Sequence, residues 1–92
     1  MIRVRYDKAF DAELAELSSA DLKRVRKALT TLLLYFDGGP KPLGIGLRKL
    51  RGSSWEIRAG LDLRVLFKLE GDVATFALVG SHDDVRRALA RQ

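Results

Sequence analysis

SWEIRAGLDLRVLFKL, residues 54–69, carries an apolar side chain at every second position: Trp55, Ile57 and Ala59, then Leu63, Val65, Phe67 and Leu69. That is the period of half-buried β-strands. A three-residue turn at Gly60–Asp62 makes the stretch a hairpin and sets Arg58 opposite Arg64, on the face away from the core. Lys68 falls on the same face. Like charges directly opposite one another destabilise a sheet, so something must offset them. Glu56 and Asp62 can do so locally. Alternatively, the two guanidinium groups hold an anionic ligand such as a phosphate, which arginine binds bidentately.

Working outward, Val73–Gly80 reads as a third long strand, and Gly71-Asp72 suits a two-residue type II′ turn before it. That turn pairs Lys68 with Thr75, Leu66 with Ala77 and Arg64 with Val79. Val65, Phe67, Leu69, Ala74, Phe76 and Leu78 then form the core face. Ser81 followed by Asp84 resembles a capping box, which predicts a short helix over Asp83–Ala90. On the other side, all eight glycines lie between Gly38 and Gly80, and the first 37 residues have none. The first part is therefore expected to be mostly helical. Residues 2–6 (IRVRY) suit a short strand. Asp7 can cap a helix with Phe10, Leu14 and Leu17 on its apolar face. Ser19 is the expected N-cap of a longer helix to about Phe36, with Leu22, Val25, Leu29, Leu32, Leu33 and Phe36 as its buried stripe. Gly38-Gly39-Pro40 ends it, and a short strand is expected near Leu47–Leu50. The expected fold is α+β, one small domain over residues 1–92 in the order β-α-α-β-β-β-α. A mostly antiparallel sheet has an αα-hairpin on one face and an open basic face on the other.

Composition narrows the function. The chain has 92 residues, 47% of them hydrophobic, no cysteine and one histidine. Disulfides and thiolate metal sites are excluded, and a protein-only zinc site is not expected. No stretch approaches the ~18 apolar residues of a membrane span, and MIRVRYD lacks the apolar run of a signal peptide. The expectation is a cytoplasmic protein with no membrane partner and no metal or cofactor. The net charge is +5, which favours an anionic partner. The charge is concentrated: Lys41–Lys68 holds seven basic residues and two acidic ones, an excess of +5 in that segment alone.

His82 is the only histidine and follows Val79-Gly80-Ser81 at a strand end, where it would lie at the rim of the basic face. Histidine is the usual acid or base at neutral pH. Asp62, in the neighbouring turn, could orient it or act as a base, although aspartate is also common in turns for local reasons. Arg48, Lys49 and Arg51 enter beside the basic face from the preceding strand and turn. No phosphate-binding glycine loop or nucleophile elbow is present.

LRKLRG (Leu47–Gly52), EIR (Glu56–Arg58), RVLF (Arg64–Phe67) and GSH (Gly80–His82), in that order, resemble the RelE/ParE superfamily of bacterial type II toxins, the RelE/YafQ-like branch above all. The resemblance covers essentially the whole chain. It implies a metal-independent endoribonuclease that cleaves mRNA, often on the ribosome, by attack of a 2′-hydroxyl on the adjacent phosphate. It further implies His82 as general acid or base, Asp62 at an acidic catalytic position, and Arg58 and Arg64 stabilising the phosphorane. Arg48, Lys49, Arg51 and Lys68 would bind the RNA backbone. A cognate antitoxin is the implied protein partner. One feature departs from the pattern: many RelE-like ribonucleases carry a tyrosine shortly after the Gly-x-His position, and Asp83-Asp84-Val85-Arg86-Arg87 has none. The alternatives are a ParE-like inhibitor of DNA gyrase without nuclease activity, or a non-catalytic RNA- or protein-binding module of the same fold.

Overall fold

The computed structural model describes residues 2–91. Along the chain run β1 (Arg3–Tyr6), α1 (Lys8–Ala15), α2 (Ser19–Phe36), β2 (Arg48–Lys49), β3 (Ser54–Gly60), β4 (Leu63–Glu70), β5 (Val73–Gly80) and α3 (His82–Ala90). The strands form one five-stranded sheet in the order β1-β5-β4-β3-β2. It is antiparallel except where β1 lies parallel to β5. The architecture is the α+β arrangement expected from the sequence.

Helices α1 and α2 pack on β5 and β3, respectively. Phe10, Val25, Ala28 and Leu32 meet Ile57, Val65, Phe67, Ala74, Phe76 and Val79 in one core. Burying side chains of this size stabilises the fold by roughly 1.5–3 kcal/mol each. Phe76 is a hub: its ring lies 5.6 Å from Tyr6, 5.8 Å from Phe10 and 5.4 Å from Phe67, centroid to centroid. Ile45, which precedes β2, also joins the core.

Helix α2 begins one residue earlier than expected. Ser18 is its N-cap: Oγ accepts the Asp21 N–H at 3.1 Å, and Ser19 is already helical. Asp21 then sits in the first turn, where the positive end of the helix dipole favours a carboxylate. Asp7 occupies the cap position of α1, but its side chain makes no capping hydrogen bond.

Two strand irregularities reset the register. Phe67 faces Phe76, but Leu66 faces Leu78, so Ala77 is an extra residue in β5. Such a bulge opposes two residues to one and shifts everything beyond it. Arg64 therefore faces Gly80 rather than Val79, and Leu66 faces Leu78 rather than Ala77. The faces exchange too: Val79, not Leu78, belongs to the main core. At the other hairpin the turn is Leu61-Asp62 rather than three residues, because Gly60 pairs with Leu63 and an irregularity falls between Arg58 and Gly60. The Gly71-Asp72 turn is as expected, with Glu70 paired to Val73 and glycine taking the positive φ.

Helix α3 packs against β4 and β5 from the other side of the sheet. Leu66 on β4 and Val85 on α3 are buried yet lie outside the main core. The basic surface is consequently the part of that face which α3 leaves uncovered. The helix starts at His82, one residue before the expected position, and both arms of the capping box are made: Ser81 Oγ accepts the Asp84 N–H, and Asp84 Oδ2 accepts the Ser81 N–H at 2.8 Å. A side chain at Gly80 would push the Asp84 carboxylate out of this arrangement, since its Cβ would lie 2.6 Å from Asp84 Oδ2.

The Ser81 N–H, the Ser81 hydroxyl and Arg87 hold the Asp84 carboxyl below its ordinary value of 3.8. A depressed folded-state pKa contributes stability above the unfolded value, which is lost as pH falls through the folded one. Asp84→Asn should therefore lower the melting temperature at neutral pH, with the gap to wild type closing as pH drops below the ordinary carboxylate range. Thermal melts across that range check this. Glu13 works in the opposite sense: burial raises its pKa, although it accepts the Val79 N–H at 3.0 Å. Its stabilising share is present at acid pH and declines as pH rises.

Candidate nucleic-acid interface

Paired residues on neighbouring strands share a face. One row across the sheet is Gly80–Arg64–Arg58, so the two arginines do stand opposite each other. The next row is Leu78–Leu66–Glu56–Arg48. Neither carboxylate expected to neutralise the pair does so. Glu56, which is 4% exposed, is engaged by Arg48 at 3.0 Å. Asp62 Oδ1 accepts the backbone N–H of His82 at 3.1 Å. Among the described residues, neither Arg58 nor Arg64 forms an ion pair. Arg64 Nε is, moreover, a buried donor with no partner.

That arrangement has a cost in the free protein. An unsatisfied buried donor costs roughly 1–3 kcal/mol, and like charges on a sheet add a few tenths more. Arg64→Met ends where Nε stands and removes both charge and donor, so it should stabilise the fold by about 1 kcal/mol. Urea unfolding reads the effect. A destabilised variant would mean that Arg64 serves the fold.

Other residues of the site fall into groups. Arg48, Arg58 and Arg64 share one area of the sheet, with His82 and Asp62 at its rim, where β5 passes into α3. Asp62 tethers the start of α3 through the backbone; the imidazole itself is exposed and is not held by Asp62. Lys49 is separated from this group. It pairs with Trp55, lies 6.0 Å from the centre of that ring, and so projects toward the α2 face. Arg51 reaches the other end of α3, where Nη1 donates to the Leu89 carbonyl at 3.5 Å. Lys68 pairs with Ser54 and Thr75, four positions along β4 from Arg64, or roughly 13 Å. It is exposed and marks the far end of the same face.

Sequence reasoning missed Glu56 as the carboxylate that fixes Arg48, and Gly46, which lies beside Arg58 and whose φ of +55° favours glycine. The neighbouring Arg58 N–H donates to the Ile45 carbonyl. A signal for Glu56 existed, since it occupies the non-core side of the strand two positions before Arg58. Both tyrosines lie away from the arginine row. Tyr6 stacks on Phe76, on the core side, and Tyr35 lines an apolar cleft of about 560 Å³ with Phe36, Trp55 and Phe67.

A small mixed sheet backed by two helices, with cations on its other face, defines a known class of fold. Neither a protein-family model nor a curated protein matches the sequence. Solved structures do match. The crystal structure of the Escherichia coli DinJ–YafQ complex aligns with a TM-score of 0.73 and 19% identity, over 92% of this chain and 98% of the other. The RelB–RelE antitoxin–toxin complex of Methanococcus jannaschii aligns with a TM-score of 0.70 and 16% identity, over 91% and 96%. The RelE–RelB complex of Pyrococcus horikoshii gives 0.66 and 21%, over 87% and 93%. The chain has the fold of the RelE and YafQ toxins. No helix among the described residues is long and apolar enough to cross a membrane.

Proposed function

We propose that this chain is the toxin of a type II toxin–antitoxin pair, an endoribonuclease that cleaves mRNA on the translating ribosome in the cytoplasm and is restrained by a cognate antitoxin. The observation that carries the reading is the Arg58–Arg64 pair: two facing cations without a carboxylate partner, one with an unmet buried donor, beside the single histidine. A phosphate would offset the charge repulsion. The shared fold with RelE and YafQ supports the same reading.

In this mechanism a ribose 2′-oxygen bonds to the adjacent phosphorus as the bond to the 5′-oxygen breaks. The proton leaves the 2′-hydroxyl, and one is delivered to the departing 5′-oxygen. His82 carries one of these transfers; Asp62, with its second oxygen free of the His82 N–H, carries the other. Arg58 and Arg64 stabilise the charge that builds on the phosphorane oxygens, a type of contribution worth on the order of 10²–10³ in rate per donor. Arg48, with Arg51 and Lys68 further along the face and Lys49 around the sheet edge, binds the flanking backbone. Products are a 2′,3′-cyclic phosphate and a 5′-hydroxyl.

The test is end mapping of a defined mRNA in a purified translation system. New ends bearing these groups, in register with codons and absent with Arg58→Ala/Arg64→Ala, are the expected result. Intact mRNA with translation undisturbed would overturn the reading and direct attention to trapped gyrase–DNA cleavage complexes.

A further inference from the structure

The apolar cleft of about 560 Å³ opens on the α2 side of the sheet, away from the arginine row. Tyr35 and Phe36 line it from the end of α2, and Trp55 and Phe67 from the sheet. Its volume falls within the roughly 300–1,000 Å³ of small-molecule sites, which are mostly apolar with a few polar groups to fix orientation. Phe36 meets Phe67 edge-on at 6.1 Å, and Tyr35 lies 6.1 Å from Phe36 with the planes tilted by 33°. Only Phe67 of these rings is fully buried; Tyr35, Phe36 and Trp55 are half-buried and face the cleft with the rest of their surface. Half-covered rings at such angles can take one more ring, offset or edge-on.

Charge sets the sign of the ligand. Lys41 lines the cleft, and Lys49 Nζ stands 6.0 Å from the centre of the Trp55 ring. Neither lysine forms an ion pair among the described residues, and no aspartate or glutamate lines the cleft. A fatty acid would gain burial but not the ring contacts. A second copy of this chain would bring the same lysines together. RNA on the arginine row lies across the sheet. We propose that the cleft binds a small planar aromatic acid, its ring among Tyr35, Phe36 and Trp55 and its carboxylate at Lys41 and Lys49. The site stands whether or not the opposite face binds RNA.

Trp55 is the only tryptophan, so its indole N–H gives one unambiguous peak in a nitrogen–proton correlation spectrum. Titration with naphthalene-2-carboxylate should move that peak saturably. Naphthalene-2-methanol has the ring without the charge, and octanoate the charge without the ring; each should bind at least about threefold more weakly. Lys41→Gln/Lys49→Gln keeps much of both stems and should weaken the acid by about threefold or more, leaving the alcohol unchanged. Both lysines are exposed, so this variant should melt with the wild type. No shift with the acid, equal affinity for acid and alcohol, octanoate binding as tightly as the ring acid, or an unchanged acid affinity in the lysine variant overturns the inference. A shift produced by an RNA oligonucleotide and not by the acid overturns it too, and makes the cleft part of the nucleic-acid surface.

Discussion

Replacing His82 with alanine should lower RNA cleavage by about 10²–10⁴-fold, the usual contribution of a general acid or base. The fold should not notice. His82 is exposed, and the bond that ties the start of α3 to the β3–β4 turn uses its backbone N–H, which alanine retains. The melting temperature is therefore expected to stay within a degree or two while single-turnover cleavage collapses. Activity within about tenfold of wild type would remove His82 from the mechanism. Asp62→Asn separates the two roles open to Asp62. Asparagine still presents an oxygen to the His82 N–H, so a purely positioning Asp62 tolerates the change, and a proton-transferring one does not.

Phe76→Ala should cost about 3–5 kcal/mol of folding stability, the range for deleting a fully buried aromatic ring. Phe76 is fully buried and touches the rings of Tyr6, Phe10 and Phe67. The strand pairs on either side of it hold β1 and β4, so the cavity cannot close without moving both. A domain of this size has about 5–15 kcal/mol in total, and the variant would be marginal. Urea unfolding should show a lower midpoint at unchanged slope. Phe76→Leu, which keeps most of the volume, should lose far less. Equal losses in both would mean that ring stacking, rather than volume, holds this part of the core.

The alternation in residues 54–69 made the hairpin and the Arg58–Arg64 juxtaposition legible, because period and turn together fix which side chains share a face. The bulge at Ala77 was not legible. Ala-Thr-Phe-Ala-Leu-Val alternates as smoothly with an extra residue as without one, and no glycine marks the place. Beyond the bulge, Leu78 and Val79 change face, and Leu66 and Arg64 change partner. Ser19 reads as the cap of α2, but it is the Ser18 hydroxyl that accepts the Asp21 N–H, and nothing in two adjacent serines marks which does so. Lys49 was grouped with Arg48, yet adjacent residues of a strand point to opposite faces. At only two residues long, β2 offers no pattern from which that alternation can be read. The Arg48–Glu56 pair depends on how the loop from Arg51 to Ser53 returns the chain, which is a matter of tertiary geometry.

The parallel pairing of β1 with β5 has a consequence for the timing of assembly. Arg3 finds its partner, Val73, seventy positions later, whereas β3, β4 and β5 join through two tight hairpins. Closing a long loop is entropically slower than forming adjacent hairpins. During synthesis the N-terminal strand must wait, unpaired, until β5 has left the ribosome. The strands bearing Arg58 and Arg64 emerge just before β5, and the helix bearing His82 just after it. A nascent chain therefore completes its sheet only after the strands that carry Arg58 and Arg64 have emerged.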